Sequence, residues 1–203
     1  MKIIAIGRNY PEHARELNNP IPREPVIFLK PDTAILRNKE CFYLPDFSTD
    51  IHYEAEIVLR IVKEGKHIAE KFAHTYISAL TVGIDFTARD IQKQLKEKGL
   101  PWELSKAFDH SAPIGEFIEV NKEDDLSAIP FKLAINGITV QTGNTKDMIF
   151  SFQALISYIS ARITLKQGDL IFTGTPAGVG RVYAGDILEG YVKNQKLMHI
   201  TIA

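Results

Sequence analysis

The sequence has a single cysteine, Cys41, among its 203 residues. One cysteine cannot form an internal disulfide, so a disulfide-stabilised fold is excluded, and such a composition is typical of a reducing compartment. Nothing around Cys41 resembles the setting of a catalytic thiolate, and we interpret it as a small buried or loop residue.

Long apolar runs and an excess of one charge are also missing. The longest apolar runs, such as residues 3–6, are far shorter than the roughly 20 residues that span a bilayer, and residues 1–7 lack the features of a signal peptide. The 24 Lys and Arg residues balance 25 Asp and Glu residues, without the basic stripe that nucleic acids require. We therefore predict a cytoplasmic protein that has neither a membrane nor a nucleic-acid partner.

The composition favours one domain of residues 1–203. Apolar residues make up 45% of the chain, which suffices for one well-buried core, and we find neither an internal repeat nor a linker. Strands dominate and the helices do not form a regular βαβ repeat, so an α+β fold is predicted. The predicted strands are 2–6, 26–29, 54–62, 80–86, 131–135, 138–141, 170–173 and one after residues 185–186; the predicted helices are a short one after residue 10, then 70–79, 88–98 and 151–162.

Local signals predict two helix caps and one tight turn. Asn9 precedes the first helix with Glu12 in the capping-box position, and Thr87 precedes the helix at 88–98 with Asp90 in the corresponding position. The dipeptide at 136–137, Asn-Gly, is typical of a type I′ turn and predicts a hairpin.

Glu54 and Glu56 form an informative pair. In a strand the side chains at i and i+2 face the same way, so these carboxylates lie about 7 Å apart on one face and repel each other without a cation. Asp85 directly follows an apolar strand and is the best candidate for a third ligand. Three carboxylates suit Mg²⁺ or Mn²⁺ better than zinc, which favours His and Cys. A solvated strand face without metal explains the pattern equally well.

His13 and Glu16 are three residues apart on the first helix, where such side chains can touch. A histidine oriented by a carboxylate is typical of a general base that activates water, and the polar loop at 18–24 would make this helix a lid. On spacing alone, an exposed ion pair of small energy is the simpler explanation. The other five histidines have no comparable partner pattern.

Two further features allow two interpretations each. Lys106 lies in the mostly apolar stretch 104–108, where its charge would stabilise a developing enolate or reach the surface along its own stem. The backbone N–H groups of residues 174–180 would hold an anionic group. This loop lacks the ending of a phosphate-binding loop, so nucleotide binding is not expected.

Together, eight segments in order resemble the fumarylacetoacetate hydrolase family, and most of all its short branch of acylpyruvate hydrolases and oxaloacetate decarboxylases. The segments are Gly-Arg-Asn-Tyr at 7–10 with His13 and Glu16, Phe-Leu-Lys-Pro at 28–31, Tyr-Glu-Ala-Glu at 53–56, Asp-Phe-Thr-Ala-Arg-Asp-Ile-Gln at 85–92, Gly-Leu-Pro-Trp at 99–102, Lys106, Asp-Met-Ile-Phe at 147–150 and Thr-Gly-Thr-Pro-Ala-Gly-Val-Gly at 173–180. They span nearly the whole chain.

The resemblance implies a mixed β-sheet roll with a few peripheral helices, assembled as a homodimer. It implies that Glu54, Glu56 and Asp85 bind Mg²⁺ or Mn²⁺. The catalytic groups it implies are His13, Glu16 and Lys106, with the first two on a lid. The substrate-binding residues it implies are Arg8, Lys30, Arg89, Gln92, Gly174 and Thr175.

The function predicted from this resemblance is metal-dependent cleavage of a C–C bond in a small 2-oxo acid, by acylpyruvate hydrolysis, oxaloacetate decarboxylation or both. One alternative is an isomerase or decarboxylase of 2-hydroxyhepta-2,4-diene-1,7-dioate-type intermediates in aromatic catabolism. The alternative of another class is a non-enzymatic ligand-binding domain. His13, Glu16 and Lys106 together argue against that class, because a binding module needs no base.

Overall fold

A computed structural model describes residues 1–17, 19–121 and 124–203, and its largest feature is a mixed β-sheet. Numbered along the chain and given in the order in which they lie side by side, its strands are β2 (Val26–Lys30), β1 (Ile3–Gly7), β13 (Leu170–Phe172), β6 (Ala55–Ile61), β7 (Ile77–Ile84), β9 (Ala112–Ile114) and β3 (Ile35–Arg37), with β10 (Ile118–Glu119) paired to β7. Strands β1 and β13 are parallel, whereas β6 and β7 are antiparallel. The sheet is therefore mixed, as predicted.

A second sheet packs against β6 and β7 of the first. Its strands, in spatial order, are β12 (Ile138–Asn144), β11 (Pro130–Ile135), β15 (Ile187–Val192), β16 (Gln195–Ile202) and β4 (Cys41–Phe42). Ile57 and Val82 of the first sheet and Leu133 and Leu188 of the second are fully buried in one core. Each such side chain contributes about 1.5–3 kcal/mol by leaving water. A Cβ on Gly190 would lie 2.7 Å from Val82 Cγ1, so this glycine allows the sheets to approach.

A small third sheet and the helices lie at the edges of this core. The third sheet contains β14 (Gly180–Arg181), β5 (Ile51–Tyr53) and β8 (Thr87–Ala88). The α-helices in the described ranges are α1 (Pro11–Glu16), α2 (Arg89–Glu97), α3 (Glu103–Lys106) and α4 (Phe152–Ser160), with 3₁₀ turns at Asp32–Ala34, Glu70–Tyr76 and Thr145–Asp147. Strands dominate and the helices are peripheral, so the α+β prediction is confirmed. No helix in the described parts of the chain is both long and apolar enough to cross a membrane.

The hairpin prediction is confirmed, and one helix prediction is partly wrong. Asn136 and Gly137 have φ values of 51° and 81°, as a type I′ turn requires. The helix predicted at 70–79 is a 3₁₀ turn that ends at Tyr76, and β7 begins at Ile77. Ile77 is buried and pairs with Ile61. Pairing with β6 prevails there over the local helical pattern, since tertiary context commonly overrides propensity.

Both predicted helix caps are wrong. The N-caps of α1 and α2 are Tyr10 and Ala88, and neither side chain makes a capping hydrogen bond. Asn9 instead donates to the carbonyls of Phe150 and Thr173 and accepts from the Phe150 N–H. Such buried backbone groups need partners, and Asn9 is fully buried beside them. It therefore joins the start of α1 to the loop after β13.

Candidate active site

Three carboxylates meet where β6 begins and β7 ends. Ala55 pairs with Ile84, and the Asp85 N–H donates to the Glu54 carbonyl at 2.8 Å, so Asp85 lies beside the Glu54–Glu56 pair. Oxygen atoms from the three carboxylates all lie within 4.8 Å of one another. Glu54 is 5% exposed and the other two are 1% exposed. The alternative of a solvated strand face is therefore excluded.

Three cations surround these carboxylates. Lys106 Nζ lies 2.9 Å from Glu54 Oε2 and 2.5 Å from Asp85 Oδ2. Arg89 Nη2 lies 2.5 Å from Glu54 Oε1, and Lys30 Nζ lies 2.7 Å from Asp85 Oδ1. Lys106 is buried, so it does not reach the surface along its stem. Its amine also donates to Thr87 Oγ1 at 2.6 Å. Thr87, which was predicted to cap α2, therefore binds Lys106 instead.

The pKa values show that the charges of this cluster are unevenly compensated. Burial works to raise the pKa of Glu54, but the cations of Lys106 and Arg89 outweigh it and hold that pKa well below its usual range. Burial works to lower the pKa of Lys106, but Asp85 and Glu54 outweigh it and raise that pKa. Burial and the adjacent Asp85 carboxylate raise the pKa of Glu56 well above its usual value.

Glu56 and Asp85 retain capacity for a cation. Glu56 Oε2 accepts one backbone hydrogen bond, from the Gly174 N–H at 2.7 Å. Asp85 Oδ1 is buried and has no aligned hydrogen-bond donor in the described residues, although Lys30 Nζ is within contact distance. An all-oxygen set of three buried carboxylates fits Mg²⁺ or Mn²⁺ rather than a softer ion.

His13 and Glu16 lie together at the edge of this cluster. His13 Nδ1 is 3.3 Å from Glu16 Oε2, and His13 is only 4% exposed, so an exposed surface ion pair does not describe it. The Gly178 N–H donates to Glu16 Oε1 at 3.0 Å. Glu16 therefore orients the imidazole and also holds α1 against the loop after β13. With Nδ1–H directed at Glu16, Nε2 is the atom that can accept a proton.

The glycine-rich loop at 173–180 binds anions that belong to the protein itself. We predicted that its backbone N–H groups would cradle a ligand, but those of Gly174 and Gly178 donate to Glu56 and Glu16. Gly174 has a φ of 99°, and a Cβ there would lie 2.6 Å from Asn9 Cβ, so another residue would be strained. This loop thus holds Glu56, a predicted metal ligand, and Glu16 of α1.

A cavity opens beside the carboxylates and the dyad. Its lining residues are Gly7, Arg8, His13, Leu17, Asn19, Phe28, Glu54, Arg89, Gln92, Lys96, Trp102 and Lys106. Arg89 Nη1 donates to Gln92 Oε1 at 2.6 Å, and the Arg8 guanidinium lies 5.4 Å from the centre of the Trp102 ring. Arg89 and Gln92, two of the six predicted substrate-binding residues, are therefore adjacent on α2.

Arg8 lines the cavity, whereas Lys30, Gly174 and Thr175 are not among its lining residues. Lys30 is buried and donates to the carbonyls of Lys106 and Ser111. The Thr175 hydroxyl donates to the Ala55 carbonyl at 2.8 Å. The structure thus places these side chains where they support the carboxylate cluster.

Sequence reasoning missed three polar groups near the site. Lys96 lines the cavity from α2, and its spacing of four residues from Gln92 on a helix was the available signal. Gln141, from the second sheet, accepts from the Ala55 N–H between Glu54 and Glu56, and no sequence signal predicts this contact. No partner is predicted for His52, but His52 Nε2 lies 3.0 Å from Asp50 Oδ1, which directly precedes β5.

Comparison with known sequences decides the family. The sequence family described as fumarylacetoacetate (FAA) hydrolase C-terminal matches residues 2–202. The chain belongs to the fumarylacetoacetate hydrolase family. This confirms the resemblance seen in the eight sequence segments, and it accounts for the mixed sheets with few helices.

Several relatives of this fumarylacetoacetate hydrolase family chain are named as enzymes. A mitochondrial oxaloacetate decarboxylase of Dictyostelium discoideum is 45% identical over 93% of this chain and 87% of its own length. A mouse protein, oxaloacetate tautomerase FAHD1, mitochondrial, is 41% identical over 92% of this chain and 85% of its own. A Pseudomonas aeruginosa fumarylpyruvate hydrolase, solved with Mn²⁺ and pyruvate, superposes with a TM-score of 0.95 at 34% identity, covering 100% of this chain and 89% of that one.

Proposed function

We propose that this chain is a Mg²⁺- or Mn²⁺-dependent enzyme that cleaves a C–C bond in a small 2-oxo acid, by acylpyruvate hydrolysis, oxaloacetate decarboxylation or both. The observation that carries the proposal is the buried cluster of Glu54, Glu56 and Asp85 beside a His–Glu dyad in one cavity. The decarboxylase and hydrolase names of the relatives, and the Mn²⁺ and pyruvate in one solved structure, support it.

Glu54, Glu56 and Asp85 would hold the metal ion. When bound, the ion supplies a Lewis acid that polarises the 2-oxo acid and offsets negative charge on the enolate of pyruvate. Lys106 holds an ammonium group between Glu54 and Asp85, where it adds positive charge on the same side of the cavity.

The dyad supplies the proton transfer that hydrolysis needs. His13 Nε2 takes a proton from water, whose oxygen bonds to the distal carbonyl carbon of an acylpyruvate. The C–C bond then breaks, its electron pair becomes the enolate of pyruvate, and the acyl group leaves as a carboxylic acid. Glu16 stabilises the imidazolium, which then returns its proton to the enolate carbon and so forms pyruvate. Decarboxylation of oxaloacetate forms the same enolate and releases CO₂ without a water nucleophile.

The charge of the cavity favours a substrate with two carboxylates. Arg8, Arg89 and Lys96 all line it. Burial, followed by the charges of Arg8 and Arg89, lowers the pKa of Lys96, as expected for cations that line one cavity. Arg89 is paired with Glu54, whereas Arg8 and Lys96 carry charge that a distal carboxylate would offset. We infer that a dianion such as oxaloacetate fits better than a monoanion such as acetylpyruvate.

Replacement of Lys96 by methionine should change this preference. We expect kcat/KM for oxaloacetate to fall about 10–100-fold, the range set by one hydrogen bond to a charged group, and kcat/KM for acetylpyruvate to stay within about 2-fold. The exposed Lys98→Met variant is the matched control. Equal losses with both substrates would show that Lys96 does not contact a second carboxylate.

Oxalate should bind only when the metal is present. It is flat and dianionic like the enolate of pyruvate, so it should inhibit competitively and raise the melting temperature in Mg²⁺. At 100 times its Kd, a ligand stabilises by about 2.7 kcal/mol. Thermal melts with oxalate in Mg²⁺ and in EDTA check this, with acetate as the control anion. A shift of equal size in EDTA would contradict a metal-dependent site.

A second candidate activity is keto–enol tautomerisation of oxaloacetate, which the name of the mouse relative suggests. The same base and the same electron sink can move a proton at the carbon next to the 2-oxo group without breaking a C–C bond. Pyruvate release from acetylpyruvate and oxaloacetate, with and without Mg²⁺, separates the candidates. Loss of the enol absorbance without pyruvate indicates a tautomerase, and the isomerase of unsaturated oxo-diacids is tested by adding such substrates.

The homodimer and the cytoplasmic location remain predictions. Analytical sedimentation tests the first. The names of two relatives place those proteins in mitochondria, so localisation needs its own imaging experiment.

A further inference from the structure

Gln141 connects the second sheet to the strand that carries the predicted metal ligands. It lies in β12, its side chain is 2% exposed, and none of its atoms lines the cavity beside the carboxylates. Gln141 Oε1 accepts from the Ala55 N–H at 2.9 Å. Ala55 is the residue between Glu54 and Glu56, so this hydrogen bond holds the backbone of the ligand pair at its centre.

The other half of the Gln141 amide holds the loop after β13. Gln141 Nε2 donates to Thr175 Oγ1 at 2.9 Å and to the Pro176 carbonyl at 3.0 Å. The Thr175 hydroxyl in turn donates to the Ala55 carbonyl at 2.8 Å. Gln141, Thr175 and Ala55 thus form a closed ring of three hydrogen bonds, all between buried groups.

The amide nitrogen of Gln141 has no proton left to donate to a ligand, and the buried side chain does not line the cavity. Its nitrogen has two protons, and both are used. The Thr175 proton is likewise directed at Ala55, so this hydroxyl has no second proton to donate to a substrate. The ring can therefore act only by fixing distances. Networks of this kind are rigid when every member is satisfied.

Two groups of the active site depend on the positions that this ring sets. Gly174, next to Thr175, donates to Glu56, and Gly178, two residues after Pro176, donates to Glu16 on the lid. The loop also passes close to β12, since a Cβ on Gly178 would lie 2.8 Å from the Val140 carbonyl oxygen. One side chain of the second sheet therefore helps to fix the position of the strand with the predicted metal ligands and of the loop that holds Glu16.

We propose that Gln141 is a positioning residue that sets the spacing between the metal-binding carboxylates and the loop that holds the lid. This inference rests on the proposed metal site. Outer partners of metal ligands typically change metal affinity or activity by about 10–100-fold when mutated. Gln141 acts one step further out, through the backbone of Ala55 and through Thr175.

The test is Mn²⁺ binding by calorimetry to Gln141→Met, well below its melting temperature. Methionine has a similar length and is apolar, so the core stays filled while the ring is lost. We expect Mn²⁺ affinity to fall about 10–100-fold. We also expect kcat to fall by a larger factor than the factor by which KM changes. The exposed Gln195→Met variant is the matched control. A lower melting temperature with unchanged Mn²⁺ affinity would show a merely structural role and overturn the proposal.

A second variant guards against a misfolded mutant. Thr175→Val breaks the ring from its other side, and its effect on Mn²⁺ affinity should not add to that of Gln141→Met in the double mutant. Full additivity would show that the two residues act separately. It would overturn the proposal that they act through one hydrogen-bonded ring.

A measurement without metal separates this inference from the metal assignment. Hydrogen exchange of the Ala55 N–H should be faster in Gln141→Met than in wild type, because its acceptor is gone. If wild-type protein binds no Mn²⁺, the proposed function fails, and the exchange rate alone decides whether Gln141 positions this strand. Unchanged exchange would overturn the positioning role.

Discussion

Replacing Glu56 with glutamine should abolish measurable Mg²⁺ and Mn²⁺ binding, and with it all metal-dependent pyruvate release. Burial and Asp85 raise the pKa of Glu56, and the Gly174 N–H is its backbone donor. A neutral amide oxygen can still accept that hydrogen bond, so the metal-free protein should keep or gain thermal stability. Metal affinity should fall by more than the roughly 10–100-fold typical of an outer-shell partner, because an anionic ligand is lost.

Calorimetric titration with Mn²⁺ and thermal melts in EDTA measure these two effects separately. The exposed Glu64→Gln variant removes the same charge away from the cluster and is the control. Unchanged Mn²⁺ affinity in Glu56→Gln would exclude this carboxylate as a ligand. A large drop in the metal-free melting temperature would show that the charge of Glu56 serves the fold.

His13→Ala should damage acylpyruvate hydrolysis far more than oxaloacetate decarboxylation. Hydrolysis needs an activated water, and the loss of a general base typically costs about 10²–10⁴-fold. Decarboxylation needs only the electron sink that the proposed metal and Lys106 would form. Both kcat values should be measured at saturating substrate, since His13 also lies on α1, the proposed lid, whose closure its loss would loosen. The exposed His74→Ala variant is the control.

Lys106→Met, in contrast to His13→Ala, should impair both hydrolysis and decarboxylation. Its ammonium contacts Glu54 and Asp85, and it lies on the side where the enolate would form. Because removal leaves two buried carboxylates less compensated, folding must be checked by melting before the rates are compared. Equal losses of the two activities in His13→Ala would remove the water-activating role from His13.

Local geometry allowed part of this site to be predicted. The i, i+2 spacing of Glu54 and Glu56 places both side chains on one face of any strand, and the i, i+3 spacing of His13 and Glu16 allows contact on any helix. The Asn136–Gly137 turn was predictable for the same reason, since only its own backbone conformation is involved. The order of the eight segments identified the family.

Contacts between distant segments explain the predictions that were wrong. Asn9 and Thr87 have the residue types of helix caps. The Asn9 side chain instead binds the carbonyls of Phe150 and Thr173. The Thr87 hydroxyl accepts from the amine of Lys106. Ile77 follows a helical pattern but belongs to β7, because Ile61 is available to pair with it. In each case a buried group that needs a partner prevails over a local preference.

The sequence by itself determined the family, the α+β class and which carboxylates share a face, because motif order and side-chain periodicity are properties of the chain alone. Only the tertiary structure decided that these carboxylates are buried, that Lys106 points inward, and that the glycine-rich loop binds Glu16 and Glu56. It also brought Gln141 from the second sheet to Ala55. Burial and the compensation of charge depend on distant partners, and Glu16 and Gly178, for example, are 162 residues apart along the chain. No local spacing specifies such partners.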